Sequence, residues 1–454
     1  MPVDSGSLFI DLTVVLGYFT AIVLVGLHFG KREADMESFV LGGRSIPWWA
    51  VLASIIAAET SAATFLGTPG EGYKLANYSY LQIVIGMIIG RIVIAYLFLK
   101  PFFDLNVFSI YEYLEVRFGP KTRQAAALTF AVTRVLASGA RLYVGAIVLV
   151  VGLKLLAGMR LSNEQELLVY ISSIVLTTLV TAVYTSIGGI KAVVWTDCIQ
   201  CAVMIGGALA AIAILLGQMP GGFGFVADFY NHADLAWVTT GITGGGALGD
   251  NVLKVLTSDY TIWAALVGMS FTTLATHGTD QDMVQRMLTA PDYKKSRQSL
   301  ILSGLADAPI WLIFLTIGIL LHLFYQQSHD ANLPAKTNEV FAYFILSRMP
   351  VGLRGLLIAG IFATTMGSLS AALNALATSA TRDWYPMLCG GKEPSEPVKV
   401  VKLFTYVFAV LLILVAAGTS YFVIVNPESR IIPIVLGIMG YTYGSLLGVF
   451  LLGL

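Results

Sequence analysis

The residues able to do chemistry in this sequence sit inside runs that are otherwise apolar. In ASIIAAETSAATFLGTPGEGY, residues 53–73, Glu59, Thr60, Ser61 and Thr64 interrupt small and branched side chains and are followed by Gly67, Pro69, Gly70 and Gly72. In TTLATHGTDQDMVQR, residues 272–286, a second run is broken by His277, Gly278, Thr279, Asp280 and Gln281. A break in a membrane helix frees carbonyl oxygens, hard ligands for a small cation, and the N-terminus of the next half-helix attracts anionic or hydroxyl-bearing groups. A glycine or proline kink whose hydroxyls bond back to the preceding turn accounts for either stretch alone. Two such stretches at matching positions favour paired helix breaks.

Other polar residues fall within apolar segments. A charge near the centre of a bilayer costs at least ~2.5–3.5 kcal/mol, so Asp197 in GGIKAVVWTDCIQ and Arg141 in ASGARLYVGA each require a partner. For Arg141 the candidates are Glu59, as an ion pair, or the carboxylate of a solute. Arg91 and Arg134 lie nearer helix ends and are expected to snorkel to the interface. In FATTMGSLSAALNALATSATRDWYP, Thr364, Ser368, Ala371 and Ala375 share one helical face. Small residues there allow close helix packing, and the hydroxyls of Thr364, Ser368 and Ser370 are candidate cation ligands. Cys198 and Cys201 form a C-x-x-C without a second cysteine or histidine pair, a pattern that favours packing over metal or redox chemistry.

The elements that must position these groups follow from composition. Of 454 residues, 57% are hydrophobic and 12% charged, against roughly a quarter charged in a soluble domain. The mean hydropathy is +0.79. The chain is an all-α polytopic membrane protein with a lipid bilayer as its surroundings. Zero net charge, with scattered Lys and Arg, implies no nucleic-acid partner, and no obligate protein partner is implied.

Runs of about 20 residues or more fall near 8–30, 46–74, 79–101, 122–156, 164–186, 188–217, 259–286, 296–326, 351–383, 398–424 and 430–454. The first lacks a basic leading segment and a small-residue cleavage site, so a retained span is expected. The predicted organisation is a leading helix and cytoplasmic loop (1–45), a first five-helix repeat (46–217), an extracellular loop (218–258) and a second five-helix repeat (259–454). Each repeat opens with an interrupted helix, the pattern of an inverted-repeat transporter with a midplane site. Lys and Arg concentrate in the loops that are cytoplasmic if the N-terminus is outside a plasma (inner) membrane. A channel would need a continuous polar lining. No helix carries paired histidines for a metal or a nucleophile with its base, so an enzyme is not expected.

At this point the sequence resembles the sodium/solute symporters, relatives of the sodium/glucose cotransporters with the LeuT-type fold. The segments AAETSAATFLGTPGEGY, FSIYEYLEVRFG, GGIKAVVWTDCIQ, TDQDMVQRML and GSLSAALNALATSATRDWY carry the match in family order across nearly the whole chain. The resemblance implies a LeuT-like 5+5 inverted repeat and a Na+ coupling ion held by the carbonyls of Ala57 and Thr60 with Thr364 and Ser368. A second sodium position in some members maps to Asp197 with Ser370. Substrate-facing positions map to Glu59, Ser61, Thr64, Gln82, Arg141, Asp280 and Gln281, and His277, near Asp280, joins them from the residues alone.

Gly367 and Ala371 stand where the family often has hydroxyls, and Leu436 where sugar-carrying members place a polar side chain. Asp307 lies near the position of a lysine found in some of them, and relatives usually continue beyond the final VFLLGL. The expected activity is sodium-coupled symport of a small polar organic solute. Asp280 and Gln281 tilt the expectation toward a sugar or polyol, while Arg141 keeps open a monocarboxylate, vitamin or sialic acid. Proton coupling through Asp197 is the remaining alternative.

Overall fold

A computed structural model describes residues 5–30, 35–157, 161–219, 221–233, 235–242, 248–258, 260–328, 330–426 and 431–454, and among them every regular element is helical. A helix satisfies its own backbone, which hydrocarbon demands. In chain order the helices are α1 (Ser5–Gly30), α2 (Met36–Leu41), α3 (Trp48–Glu59), α4 (Ala62–Leu75), α5 (Ile83–Leu97), α6 (Leu99–Asp104) and α7 (Tyr111–Phe118). Next come α8 (Pro120–Ala157), α9 (Asn163–Gln218), α10 (Gly222–His232), α11 (Leu248–Thr257), α12 (Ser270–Gly278) and α13 (Gln281–Leu288). The last six are α14 (Tyr293–Gln327), α15 (Thr337–Arg348), α16 (Leu353–Ser379), α17 (Tyr385–Leu388), α18 (Pro397–Val425) and α19 (Ile431–Gly453).

Each apolar run read from the sequence is occupied by helix. The runs at 164–186 and 188–217 join in α9, which bends at Gly189, where φ is 54° and ψ −155°. That residue must be glycine twice over. The left-handed backbone disfavours a side chain, and a Cβ would stand 2.4 Å from Phe39 O. At its start α9 is held by a capping box between Ser162 and Gln165. The short α2 is capped by Asp35, which accepts from the Ser38 amide at 2.7 Å, and this bond holds the Asp35 carboxyl below its usual range.

The glycines and proline read as breakers near Gly67–Gly72 do not break the helix. α4 runs through all of them, with Pro69 inside it. Their role is close approach: a Cβ on Gly72 would meet Leu315 O at 2.6 Å, and one on Gly318 would meet Pro69 O at 2.2 Å. Backbone therefore packs on backbone between α4 and α14, as small residues permit in membranes.

The leading helix is docked. Asp11 in α1 accepts from Gly352 N at 2.7 Å and Gly355 N at 3.0 Å and pairs with Arg354. Tyr18 and Ile22 continue the contact onto Ala359, Ala363 and Met366, so α1 and α16 run parallel. Between α11 and α10, residues 235–242 lie over the junction of α4 and α5. Tyr78 N donates to Ala236 O at 3.1 Å, Trp237 stacks on the Tyr78 ring, and Ile262 N donates to Thr239 O at 2.9 Å.

Candidate functional site

α3 ends where Thr60 (φ −78°, ψ 84°) and Ser61 (φ −82°, ψ 172°) leave helical geometry. In an unbroken helix the Ser61 amide would donate to Ala57 O; here it donates to Glu59 O at 3.0 Å. The Thr64 amide, the helical partner of Thr60 O, donates to Ser61 O at 2.9 Å. Ala57 and Thr60 thus present carbonyls released by the break, both on buried residues. The second break lies at Thr279 and Asp280, between α12 and α13.

The freed Ala57 carbonyl faces α16: a Cβ on Gly367 would lie 3.4 Å from it. Thr364 and Ser368 flank that glycine. Their hydroxyls donate within α16, Thr364 to Ile361 O at 2.9 Å and Ser368 to Thr364 O at 3.2 Å, and Ser370 donates to Gly367 O at 3.0 Å. A hydroxyl that donates to its own helix keeps its lone pairs for a cation. Ser368 is half-buried within an otherwise buried stretch of α16, which marks it as lining a space.

Asp197 lies beside this cradle, fully buried on α9. Its Oδ2 accepts from Ser54 at 2.5 Å and Arg286 at 3.2 Å. Arg286 also pairs with Asp282 at 2.6 Å, Asp282 pairs with Arg134, and Arg134 reaches Asp280 at 3.4 Å. This chain of charges crosses α8, α9 and α13. Arg134 therefore does not snorkel; it closes the network from α8.

Glu59 likewise has a protein partner that the sequence reading missed. Arg91, expected at an interface, is fully buried on α5 and pairs with both Glu59 and Asp307, the latter at 2.6 Å. Ser303 accepts from it at 3.2 Å. His277 Nε2 stands 3.4 Å from Arg91 and 3.6 Å from Glu59, and its Nδ1 meets Thr276 Oγ1 at 2.9 Å. The signal was present in the sequence as an acid on each of two spans and an arginine on a third.

Three expected solute ligands are engaged elsewhere. Gln82 donates to Tyr260 O and accepts from Thr239 N, fastening the segments on either side of α11. Gln281 donates to Phe108 O and accepts from Ile110 N, each at 2.9 Å. Asp280 caps α13, accepting from Asp282 N, and receives the Tyr443 hydroxyl. The donors and acceptors on which the sugar expectation rested are thereby used within the protein. Leu436 lies outside the described side chains.

What remains open is Arg141. It is the half-buried residue in a buried stretch of α8 running from Ala137 to Val148, and its Nη2 donates only to Met439 Sδ, at 3.2 Å. Among the described residues no carboxylate pairs with it. Glu59 and Thr64 are also half-buried, whereas Ser61 is buried at the start of α4 with its hydroxyl making no capping bond.

A bundle whose two helix breaks flank an oxygen-lined cradle and a free guanidinium is that of an inverted-repeat secondary transporter. The sodium:solute symporter family model matches residues 39–454, and the chain belongs to that family. It is 30% identical to the sodium/sialic acid symporter SiaT of Proteus mirabilis, over 98% of this chain and 84% of that one. Identity to the sodium-coupled monocarboxylate transporter 2 of Mus musculus is 28%, over 98% and 68%. A solved substrate-bound, outward-open sodium-coupled sialic acid symporter superposes with a TM-score of 0.80 at 28% identity, covering 98% of this chain and 86% of that one. The fold is the LeuT-like inverted repeat, and the chain is a multi-pass, sodium-coupled symporter of an organic solute.

Proposed function

We infer that the solute is an organic carboxylate and that Arg141 receives it. The observation that carries this reading is the guanidinium itself, deep in α8 with a thioether as its hydrogen-bond acceptor. A buried cation calls for an anion, and a planar guanidinium matches a carboxylate in two parallel hydrogen bonds. The relatives named for sialic acid and monocarboxylates support it, and the neutral sugar or polyol favoured by the sequence gives way to this alternative.

In this reading sodium, drawn to the Ala57 and Thr60 carbonyls and the Thr364 and Ser368 hydroxyls, ties the broken first helix to α16. That fixes Ser61 and Thr64 at the start of α4 for the solute. The charge chain from Arg134 to Asp197 closes the end of the bundle toward which α13 runs, and its dissolution accompanies opening on that side. The N-terminus lies outside, because Lys and Arg gather in the opposite loops. A tenfold sodium gradient supplies ~1.4 kcal/mol, which for one sodium and one monoanion is the whole driving force.

The test is uptake into proteoliposomes of N-acetylneuraminate, lactate and a neutral sugar under a sodium gradient, with Arg141→Gln as the variant. Loss of a buried charge-paired hydrogen bond costs about 2–5 kcal/mol, roughly 30- to 5,000-fold in apparent affinity. Sodium-driven uptake of a carboxylate that this variant loses at normal protein yield is expected. Sodium-driven uptake of the neutral sugar alone, unchanged in Arg141→Gln, overturns the reading.

A further inference from the structure

The first turns of α8 and the chain leaving α16 border a cleft that is no part of the site described above. Its volume is about 360 Å³. One wall is a stripe of α8, where Lys121, Gln124, Ala125 and Leu128 share a face at helical spacing. The other wall is Trp384, Met387 and Leu388, where the π-helical turn Ala380–Trp384 leads into α17. Trp384 is half-buried and the other two are exposed.

The two walls are tied to each other. Arg123 on α8 donates to Asp383 Oδ1 and to Arg382 O, each at 2.8 Å, and Ser109 and Ser379 donate to the second oxygen of Asp383, each at 2.7 Å. Asp383 is buried. A buried carboxylate with both oxygens engaged sets the spacing of the walls, so the cleft belongs to the fold.

Position and charge say what covers it. The α8 stripe continues from Leu128 to Val132 and Leu136, one turn apart and all exposed, on a helix long and apolar enough to cross a membrane. The apolar end of the cleft is thus continuous with surface that lipid chains cover. From Lys121 to Leu128 the helix rises about 10 Å, from headgroup level into hydrocarbon. Tryptophans of membrane proteins gather at that boundary. The nearby acids Glu112, Glu115 and Asp383 are held by Arg123 and Arg382, whereas Lys121 is exposed and, among the described residues, no carboxylate pairs with it.

We propose that this cleft holds a phospholipid with an anionic headgroup, the headgroup at Lys121 and Gln124 and one acyl chain between Leu128 and the side chains of Met387 and Leu388. A basic group at the mouth of an apolar cleft between membrane helices suits that ligand. A zwitterionic lipid brings a cation of its own to Lys121, and a soluble anion leaves the apolar walls uncovered. The assignment depends neither on the solute nor on which leaflet this end of the bundle meets.

The experiment reads Trp384 fluorescence in the full-length chain, held in phosphatidylcholine nanodiscs with a small fraction of lipid brominated on its acyl chains, either phosphatidylglycerol or phosphatidylcholine. Bromine quenches tryptophan on contact, and subtracting the signal of Trp384→Phe isolates this residue from the other tryptophans. Phosphatidylglycerol is expected to occupy the cleft about fivefold more readily than phosphatidylcholine, the preference that about 1 kcal/mol from one lysine gives. Lys121→Gln, an exposed change expected to leave the melting temperature where it is, removes that preference. Ala125→Phe, which fills the cleft, is expected to lower quenching by phosphatidylglycerol to the phosphatidylcholine level.

Equal quenching by the two lipids in the wild-type chain overturns the assignment, as does a preference that survives Lys121→Gln. So does a Trp384 that neither lipid quenches; with two chains in each nanodisc, that result gives the cleft to a second copy.

Discussion

Replacing Arg91 by methionine isolates the consequence of burying two acids beside one base. The guanidinium is fully buried and bridges Glu59 on α3 to Asp307 on α14 while donating to Ser303. Its stem packs on Gly304, where a Cβ would stand 3.0 Å from Arg91 Cδ. Methionine keeps most of that packing and removes only the charge. Two carboxylates are then left facing each other in the bundle, and breaking a buried pair costs about 3–5 kcal/mol; with two acids stranded, the upper part of that range is expected. Combining Arg91→Met with Glu59→Gln and Asp307→Asn removes the demand for a cation and is expected to recover most of the loss, since a neutral set of similar volume is tolerated where a half-broken pair is not. The assay is reversible unfolding of the purified protein in mixed micelles as the denaturing detergent fraction rises. A single variant within about 0.5 kcal/mol of wild type, or a triple variant no more stable than the single, refutes the reasoning.

Two further outcomes follow from the same geometry. Gly318→Ala is expected to lower the melting temperature, because its Cβ would meet Pro69 O at 2.2 Å and overpacking of this kind costs about 1–3 kcal/mol; Gly268→Ala, with open space around it, is the control and is expected to be neutral or stabilising. On the proposed function, with Asp197 Oδ2 engaged by Arg286 and Ser54 and with Ala371 offering no hydroxyl, one sodium would accompany one monoanion, so a potential of about 100 mV, inside negative, is expected to leave monocarboxylate uptake unchanged. A second sodium adds about 2.3 kcal/mol, roughly fiftyfold in accumulation, and a response of that size refutes the count.

The helices and both interruptions were legible in the sequence because hydrocarbon leaves a chain few options: a polar cluster inside an apolar run must break the helix, face a cavity or find a partner. The place of the first break was less legible. Gly67, Pro69, Gly70 and Gly72 outnumber the residues at Thr60 and Ser61, yet α4 runs through them, and Pro69, Gly70 and Gly72 serve contact with α14 and α15, a tertiary requirement that local propensity does not encode. Partnerships were hidden for a related reason. Whether Arg91 snorkels or turns inward depends on which face of α5 meets α14, and Gly304 makes room for it on α14, while Gly90 lets α5 approach α12. The sequence leaves Arg141 a choice between Glu59 and a solute, and in the structure Glu59 pairs with Arg91.

That division of partners bears on coupling. The chain containing Asp197 carries one surplus negative charge, and Arg141 on α8 carries one unpaired positive charge. On the proposed function, sodium entering alone neutralises the first and leaves the second; a carboxylate entering alone does the reverse. Each ligand therefore makes the closed, dry state less unfavourable for the other, without any contact between them being required. By linkage the factor is shared: whatever sodium adds to solute affinity, the solute adds to sodium affinity, and couplings between sites are typically about 1–3 kcal/mol, or 5- to 150-fold. On that reading, a bundle that closes with both of these charges compensated and resists closing with either exposed transports the pair together.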